Sequence, residues 1–152
     1  MVEIREATGD DITRINEIEK RSISPCWSAD AFHSEIGRED SFFAVAVCDG
    51  VVAGFCLLRR VADAGELLRI AVEEAYRRRG IADDLMMKSI EYAQGNALTA
   101  TYLEVRVSNV AAIGLYRKHG FIEVGKRRGY FDKPQEDAVI LCRNLDANFS
   151  KQ

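Results

Sequence analysis

The sequence contains few cysteines, and their spacing is not that of a metal site. Four cysteines are scattered along the 152 residues without a C-x-x-C pair: Cys26, Cys48, Cys56 and Cys142. Two of them lie in apolar runs that are typical of strands, so we expect reduced thiols in the core. A zinc site is therefore not expected, and no metal cofactor is predicted.

Transmembrane and targeting segments are also missing. No apolar run approaches the roughly 20 residues of a membrane-spanning helix, and the N-terminal residues lack the apolar core of a signal peptide. The net charge of −3 provides no general attraction to nucleic acids or membrane surfaces. We therefore expect a cytoplasmic protein with no direct nucleic-acid partner and no membrane partner.

Repeats, low-complexity tracts and proline-rich linkers are absent, and only two prolines occur. The 47% apolar and 30% charged content is typical of a globular domain, and the length is sufficient for one buried core. These features predict a single domain at residues 1–145 and a short C-terminal tail at residues 146–152.

The most informative segment lies in the middle of the chain. Residues 67–72 have an apolar strand pattern, residues 76–82 form a basic loop that contains Gly80, and an apolar helix pattern follows. The first N–H groups of a helix have no partner within the helix and lie at the positive end of its dipole. The segment predicts a site for a phosphorylated ligand, although it also fits a helix start behind a solvated basic turn.

The remaining patterns predict an α/β protein with a mixed sheet. Capping residues indicate helices after Thr8, Ser28 and Asn109. The residues at 61–65 and the basic, aromatic residues at 127–131 are predicted as loops. Strands are predicted at residues 2–7, 42–48, 51–60, 101–107, 121–126 and 138–145, with Asp49-Gly50 as a hairpin turn.

Two motifs in the chain resemble those of a known family. L-x-I-A-V at residues 68–72, followed by Y-R-x-x-G-x-A at residues 76–82, resembles the acetyl-CoA motif of the GCN5-related N-acetyltransferase (GNAT) superfamily. L-E-V-R-x-S-N-x-A-A-x-x-L-Y-x-x-x-G-F at residues 103–121 is similar to the RimI group, the ribosomal-protein-alanine N-acetyltransferases. R-x-Y-F at residues 128–131, E-D-A at residues 136–138 and the region near Trp27 also match that group, except that Cys26 separates Pro25 from Trp27. The resemblance covers essentially the whole chain.

The resemblance implies the GNAT fold, a mixed and mostly antiparallel sheet with flanking helices and one splayed parallel strand pair. Acetyl-CoA, the implied cosubstrate, would lie in the gap between those strands, with its pyrophosphate on the backbone N–H groups of residues 78–83. The implied coenzyme-binding residues are Ile70, Ala71, Val72, Arg77, Arg78, Arg79, Gly80, Ile81, Ala82, Asp83 and Asn109.

Asp83 and Asp84 depart from the usual pattern of the coenzyme motif. Both suit the helix dipole in the first turn but would repel a phosphate, so we expect their side chains to turn to solvent. His33 and His119 are expected on the surface and not as catalytic bases.

Glu104 is the predicted general base. An amine acceptor arrives as an ammonium ion and must lose a proton before it can attack a thioester, and a nearby carboxylate could take that proton directly or through a water. The spacing alone also fits an ion pair between Glu104 and Arg106 on a half-exposed strand face. The resemblance favours the catalytic role.

Tyr116 is the predicted general acid. Its spacing from Ala112 and Ile113 places it on the inward helix face, where it could also be a plain core aromatic. A phenol at the departing sulfur could protonate the coenzyme thiolate or hold it by a hydrogen bond. Because a thiol has a pKa near 8.5, this help would be mainly positional.

Three function classes fit these patterns. The leading hypothesis is acetyl transfer to the α-amine of a protein N-terminus, which the resemblance implies to be an alanine-starting ribosomal protein of the small subunit. Its acceptor-binding residues would be Trp27, Tyr130 and Phe131, and Glu35 and Glu39 could favour a basic second residue. The alternatives are a GNAT enzyme for a small-molecule amine and an acyl-CoA-binding module without catalysis, against which Glu104 and Tyr116 argue together.

Overall fold

The computed structural model describes residues 2–145, so Met1 and the predicted tail at residues 146–152 lie outside the described residues. Seven strands form one sheet in the order β1-β2-β3-β4-β5-β7-β6. The strands are β1 (Val2–Glu6), β2 (Ser41–Cys48), β3 (Val51–Val61), β4 (Ala64–Val72), β5 (Ala100–Arg106), β6 (Ile122–Phe131) and β7 (Glu136–Asn144). The α-helices are α1 (Ile12–Ser22), α2 (Ala29–His33), α3 (Ile81–Gly95) and α4 (Val110–Lys118), and short 3-10 turns occur at Gly9–Asp11 and Glu74–Tyr76.

All neighbouring strands of this sheet pair antiparallel except β4 and β5, which are parallel. The β2–β3 hairpin turns at Asp49 and Gly50, both with positive φ, as the two-residue turn signal indicates. The predicted mixed, mostly antiparallel sheet with one parallel pair and flanking helices is confirmed.

Helices cover both faces of the sheet. On one face, α1 and α2 bury Ile15, Ile18 and Phe32 against strand residues that include Val45 and Phe55. On the other face, α3 and α4 pack on residues that alternate with these along the same strands. Each fully buried side chain of this size contributes about 1.5–3 kcal/mol of hydrophobic stabilisation, so both cores hold the sheet in place.

A β-bulge interrupts β4 where the functional segment begins. In β3, Leu57 pairs with Arg69 and Leu58 pairs with Leu67, so Leu68 is an extra residue in β4. As a result, Leu68 and Arg69 both face the α1 side, where Leu68 packs on the core and Arg69 pairs with Glu19. Bulges bend a strand and redirect its side chains, and strict alternation in the sequence gives no sign of this one.

Two segments that were predicted as loops belong largely to strands, so both predictions are wrong. Residues 61–65 form only a tight turn at Ala62 and Asp63, since β3 extends to Val61 and β4 begins at Ala64. Residues 127–131 belong to β6, where irregular pairing with β7 holds a segment whose charge and glycine suggested a loop. No helix among residues 2–145 has the length and apolar character needed to cross a bilayer.

Candidate active site

The site lies where β4 and β5 separate. Their parallel pairing covers only three positions, which begin at Ala64 with Ala100 and end at Glu66 with Tyr102. Beyond this point a central cavity of about 250 Å³ opens between the strands, lined by residues 67–72 of β4 and residues 103–106 of β5. Backbone groups of β4 that face the gap lack a strand partner there, so an extended ligand could pair with them.

Two further cavities continue the central one on opposite faces of the sheet. The α3-side cavity, of about 330 Å³, shares the β4 residues 70–72 and reaches the start of α3 and one face of α4. The α1-side cavity, of about 540 Å³, shares residues 67–69 and Glu104 and reaches the segment between α1 and α2 and the end of β6. The three cavities therefore form a passage through the sheet.

The start of α3 presents free backbone N–H groups to the α3-side cavity. Within residues 2–145, none of the backbone N–H groups at positions 78–83 donates a hydrogen bond to another residue. Gly80 has a φ of +77°, and no atom lies within 4 Å of the position that a Cβ would occupy. Arg78 also has a positive φ, of 65°. Free amides at the positive end of a helix, with no side chain in front of them, fit a phosphate group.

Asp83 is bound by α4 and is not directed to solvent, which corrects the expectation for its side chain. Its carboxylate lies 2.7 Å from His119 Nε2 and 3.1 Å from Lys118 Nζ. The hydrogen bond with His119, together with Lys118, lowers the pKa of Asp83. His119 is consequently half-buried and not a surface residue, whereas Asp84 and His33 are exposed. Lys118 offsets the negative charge that Asp83 brings to this cavity, and the hydrogen bond with His119 holds the carboxylate in place.

The three arginines of the loop differ in their surroundings. Arg77 Nε donates to Val72 O at 3.1 Å, and Arg77 and Arg78 line the α3-side cavity. Arg79 instead stacks on Tyr76, with its guanidinium 5.2 Å from the ring centroid, and it does not line the cavity. Arg79 is thus the one predicted coenzyme-binding residue that the described structure leaves away from the three cavities.

Glu104 lies on β5 and lines the central and α1-side cavities. The predicted alternative, an ion pair with Arg106, does not occur, because Arg106 pairs with Glu136. Glu104 forms an ion pair with Arg127 instead, whose Nε lies 3.2 Å from Oε2, and this buried oxygen has no hydrogen-bond partner among the described residues. Glu104 thus keeps accepting capacity for a group in the passage.

Tyr116 reaches the passage from α4 on the opposite face. It is 8% exposed, its ring lies 6.0 Å from that of Phe121, and it lines both the central and the α3-side cavities. Burial raises the pKa of the phenol, so it stays protonated. Tyr116 is therefore a core aromatic, as the alternative proposed, and also a hydrogen-bond donor at the cavity wall.

Asn109 caps α4 as predicted. Its Oδ1 accepts from Ala112 N at 3.1 Å, and the residue lines the central cavity near Tyr116. Because the cap uses the side-chain oxygen, the amide nitrogen of Asn109 remains as a possible donor to a ligand.

Trp27 lines the α1-side cavity and is fixed through its backbone. Trp27 N donates to Glu19 Oε2 at 2.8 Å, and Trp27 O accepts from Asn16 Nδ2 at 2.9 Å. The Arg69 guanidinium lies 4.9 Å from the ring centroid of Trp27. Glu19 is fully buried, and this burial raises the pKa of its carboxyl.

Tyr130 and Phe131 form the opposite wall of the α1-side cavity. Partial burial raises the pKa of Tyr130, and the neighbouring Glu104 carboxylate adds to this shift.

Glu35 does not reach the cavity, because it is buried in an ion pair with Arg59. The acidic residues that line the cavity besides Glu104 are Glu66 and Asp132, so the expectation for Glu35 and Glu39 is wrong.

Comparison with known proteins identifies the family. The model of the acetyltransferase (GNAT) family matches residues 12–121. The chain belongs to this family. The ribosomal protein bS18 alanine N-acetyltransferase of Escherichia coli (strain K12) is 34% identical over 134 residues, which cover 87% of this chain and 90% of that protein. The N-alpha-acetyltransferase RimI of Mycobacterium tuberculosis is 32% identical over 149 residues, which cover 94% of this chain and 92% of that protein.

A solved structure agrees with these relatives. The crystal structure of the ribosomal-protein-S18-alanine N-acetyltransferase from Escherichia coli matches with a TM-score of 0.88 and 32% identity, over 96% of this chain and 95% of that chain. The predictions of the GNAT family, its fold and an acetyltransferase activity are therefore confirmed. Enzymes of this family take the acetyl group from acetyl-CoA.

Proposed function

We propose that this enzyme transfers an acetyl group from acetyl-CoA to the N-terminal α-amine of a protein. The observation that carries the proposal is the passage through the sheet at the β4–β5 separation, with Glu104 and Tyr116 on its walls. The named activity of the bacterial relatives supports an acceptor that begins with alanine, in particular a small-subunit ribosomal protein. Such an acceptor would place the enzyme in the cytoplasm, and residues 1–145 would be its single catalytic domain.

Acetyl-CoA would bind from the α3 side and supplies an activated acetyl thioester. The amides of residues 78–83 would hold the pyrophosphate, and the free backbone groups of residues 70–72 would hold the pantetheine in the manner of a strand. Arg77, Arg78 and Asn109 lie on the same walls and would add side-chain contacts.

Catalysis would use one residue from each side of the passage. Glu104 would remove the proton from the acceptor ammonium, directly or through a water, so that the nitrogen can attack the thioester carbonyl. Tyr116 would donate a hydrogen bond to the departing sulfur, for which its protonated phenol is suited. Trp27, Tyr130 and Phe131 would bind the first acceptor residues as an extended segment, because they line the α1-side cavity.

The pKa of the acceptor favours an α-amine over a lysine side chain. An α-amino group has a pKa of about 7.7–8.0 and a lysine about 10.4, so at pH 7 roughly one α-amine in ten is neutral, against fewer than one lysine in a thousand. A single carboxylate base can therefore remove the proton from an α-ammonium group more readily than from a lysine side chain.

The test uses one alanine-starting peptide with an internal lysine, in a free form and in an N-terminally blocked form. Mass spectrometry should find one added acetyl group at the N-terminus of the free peptide and none on the blocked peptide. Equal modification of the blocked peptide would contradict the proposal. Acetylation of polyamines or aminoglycosides but of neither peptide would support the small-molecule alternative instead.

A further inference from the structure

Arg106 connects the two walls of the α1-side cavity. One wall is the segment at residues 22–27 that follows α1. The other is the segment at residues 130–134, which runs from the end of β6 into the turn before β7 and lines the cavity with residues 130–132. Neither wall is paired with β5, although Arg106 lies on β5 two residues beyond Glu104. Phe131 pairs with Glu136 of β7, and the backbone of Ile23 is bonded to α1, so each wall is held to its own element. Arg106 is the side chain of β5 that contacts both walls.

All five N–H groups of the Arg106 guanidinium are used within the protein. Nε and Nη2 donate to Ser24 O at 3.2 and 2.8 Å, and Nη2 also donates to Asp132 O at 3.1 Å. Nη1 donates to Pro134 O at 2.8 Å and to Glu136 Oε1 at 3.2 Å. The guanidinium also lies 4.6 Å from the centroid of the Phe131 ring. A guanidinium has five N–H donors and no acceptor, so none remains for a substrate.

Glu136 holds Arg106 in this orientation. Both side chains are largely shielded, with 16% exposed for Arg106 and 15% for Glu136. The second oxygen of Glu136 accepts from Ser108 N at 2.6 Å, which ties the pair to the residues that follow β5. Without Arg106, the walls would keep one direct hydrogen bond among the described residues, from Ser24 Oγ to Lys133 O at 3.4 Å.

We infer that Arg106 is a positioning residue that sets the width and location of the acceptor cavity relative to Glu104. It binds three backbone carbonyls from two separate segments, and a planar, rigid donor fork is needed to reach all of them. A lysine side chain carries its three N–H donors on a single nitrogen, so it cannot reach the same set of carbonyls. Arg106 thus acts on acceptor binding through the walls, and it contributes neither to proton transfer nor to coenzyme binding. The inference rests on the proposed acetylation of a peptide N-terminus.

The experiment measures steady-state kinetics with the alanine-starting peptide at saturating acetyl-CoA. Arg106→Ala should raise the KM for the peptide at least tenfold, change kcat less than about threefold and leave the dissociation constant of acetyl-CoA unchanged. Arg106→Lys should resemble Arg106→Ala. Added guanidinium ion at low millimolar concentration should lower the peptide KM of Arg106→Ala, whereas methylammonium should not.

Arg38→Ala is the matched control. Arg38 also donates two hydrogen bonds to another residue, Asp40, but it lies outside the three cavities, so its peptide KM should equal that of the wild type. If Arg106→Ala does not fold, as judged by thermal unfolding, Arg106→Lys and Glu136→Gln replace it, and Glu136→Gln should raise the peptide KM by a smaller factor.

The inference is wrong if the variants lose kcat or coenzyme affinity while the peptide KM stays unchanged, or if Arg106→Lys restores wild-type kinetics. A wild-type enzyme that acetylates no peptide at all would contradict the proposed function instead, so the two failures are distinguishable.

Discussion

At the scale of single residues, Glu104 is the group whose removal should affect the chemistry most directly. Glu104→Gln keeps the shape of the side chain but cannot accept the proton, so kcat should fall by about 10²–10⁴. The affinity for acetyl-CoA, measured by calorimetry, should stay the same because Glu104 does not line the α3-side cavity. Glu66→Gln is the control, since Glu66 is an exposed carboxylate in the same α1-side cavity. A wild-type rate for Glu104→Gln at neutral pH would place the base elsewhere.

Tyr116 should have a smaller effect on the same rate constant. Tyr116→Phe retains the ring that packs against Phe121 and removes only the hydroxyl at the cavity wall. Thermal stability should therefore be nearly unchanged, while kcat should fall by less than for Glu104→Gln because a thiol leaves readily without an acid. A loss of stability with no change in kcat would leave Tyr116 with its packing role alone.

At the scale of elements, the start of α3 is expected to determine coenzyme binding. Gly80→Glu would place a negative side chain in front of the free amides and should weaken acetyl-CoA binding at least tenfold, which is about 1.4 kcal/mol. Gly80→Gln is the matched control, because it imposes the same strain at a φ of +77° and the same bulk without the charge. Calorimetry on both variants separates the two effects, and unchanged affinity for a folded Gly80→Glu would exclude this loop as the phosphate site.

The turn before α1 should make stability depend on pH. The Asp11 carboxylate accepts hydrogen bonds from Arg5 at 2.8 and 3.0 Å and from Thr8 N at 2.8 Å. The Arg5 hydrogen bonds in particular lower the pKa of Asp11. Because the folded pKa lies below the unfolded value of about 3.9, this stabilisation is complete above that pH and is lost as the pH falls through the folded pKa.

Asp11→Asn should therefore reduce the stability at pH 7 by about 1 kcal/mol, the usual size of a helix-cap loss. The difference in unfolding free energy between wild type and variant should shrink as the pH falls below about 4. Denaturant titrations from pH 7 to pH 2 measure this difference, with the exposed Asp10→Asn as the control. A difference that is independent of pH would show that the Asp11 charge is not responsible.

The elements also show which features the sequence could predict. Local signals were sufficient for the Asp49-Gly50 turn and for the Asn109 cap, whose partner Ala112 is three residues away. The Leu68 bulge and the Arg106 contacts depend on other strands and on carbonyls as far away as Ser24, 82 residues earlier. Such contacts depend on tertiary pairing, so neither periodicity nor spacing could predict them. The catalytic roles of Glu104 and Tyr116 were predicted from the family motif. Spacing alone was also consistent with an ion pair for Glu104 and with a core aromatic for Tyr116.

At the scale of the whole molecule, the proposed function would use the passage to bind both substrates at once. The α3-side and α1-side cavities open on opposite faces of the sheet and meet between β4 and β5. An acetyl group held at the meeting point could be attacked directly, so no residue needs to carry it. Cys48 and Cys56 are poorly suited to carry the acetyl group, because both are buried. Burial also raises the pKa of the Cys56 thiol to about 12.

Initial-rate measurements should therefore show sequential kinetics. Double-reciprocal plots at several peptide concentrations should intersect, since the ternary complex must form before any product leaves. Intact-mass spectrometry of the enzyme after incubation with acetyl-CoA alone should show no added acetyl group, and Cys26→Ser, which removes the exposed cysteine, should keep wild-type activity. Parallel lines together with an acetylated enzyme that passes its acetyl group to the peptide would establish a covalent route and contradict direct transfer through the sheet.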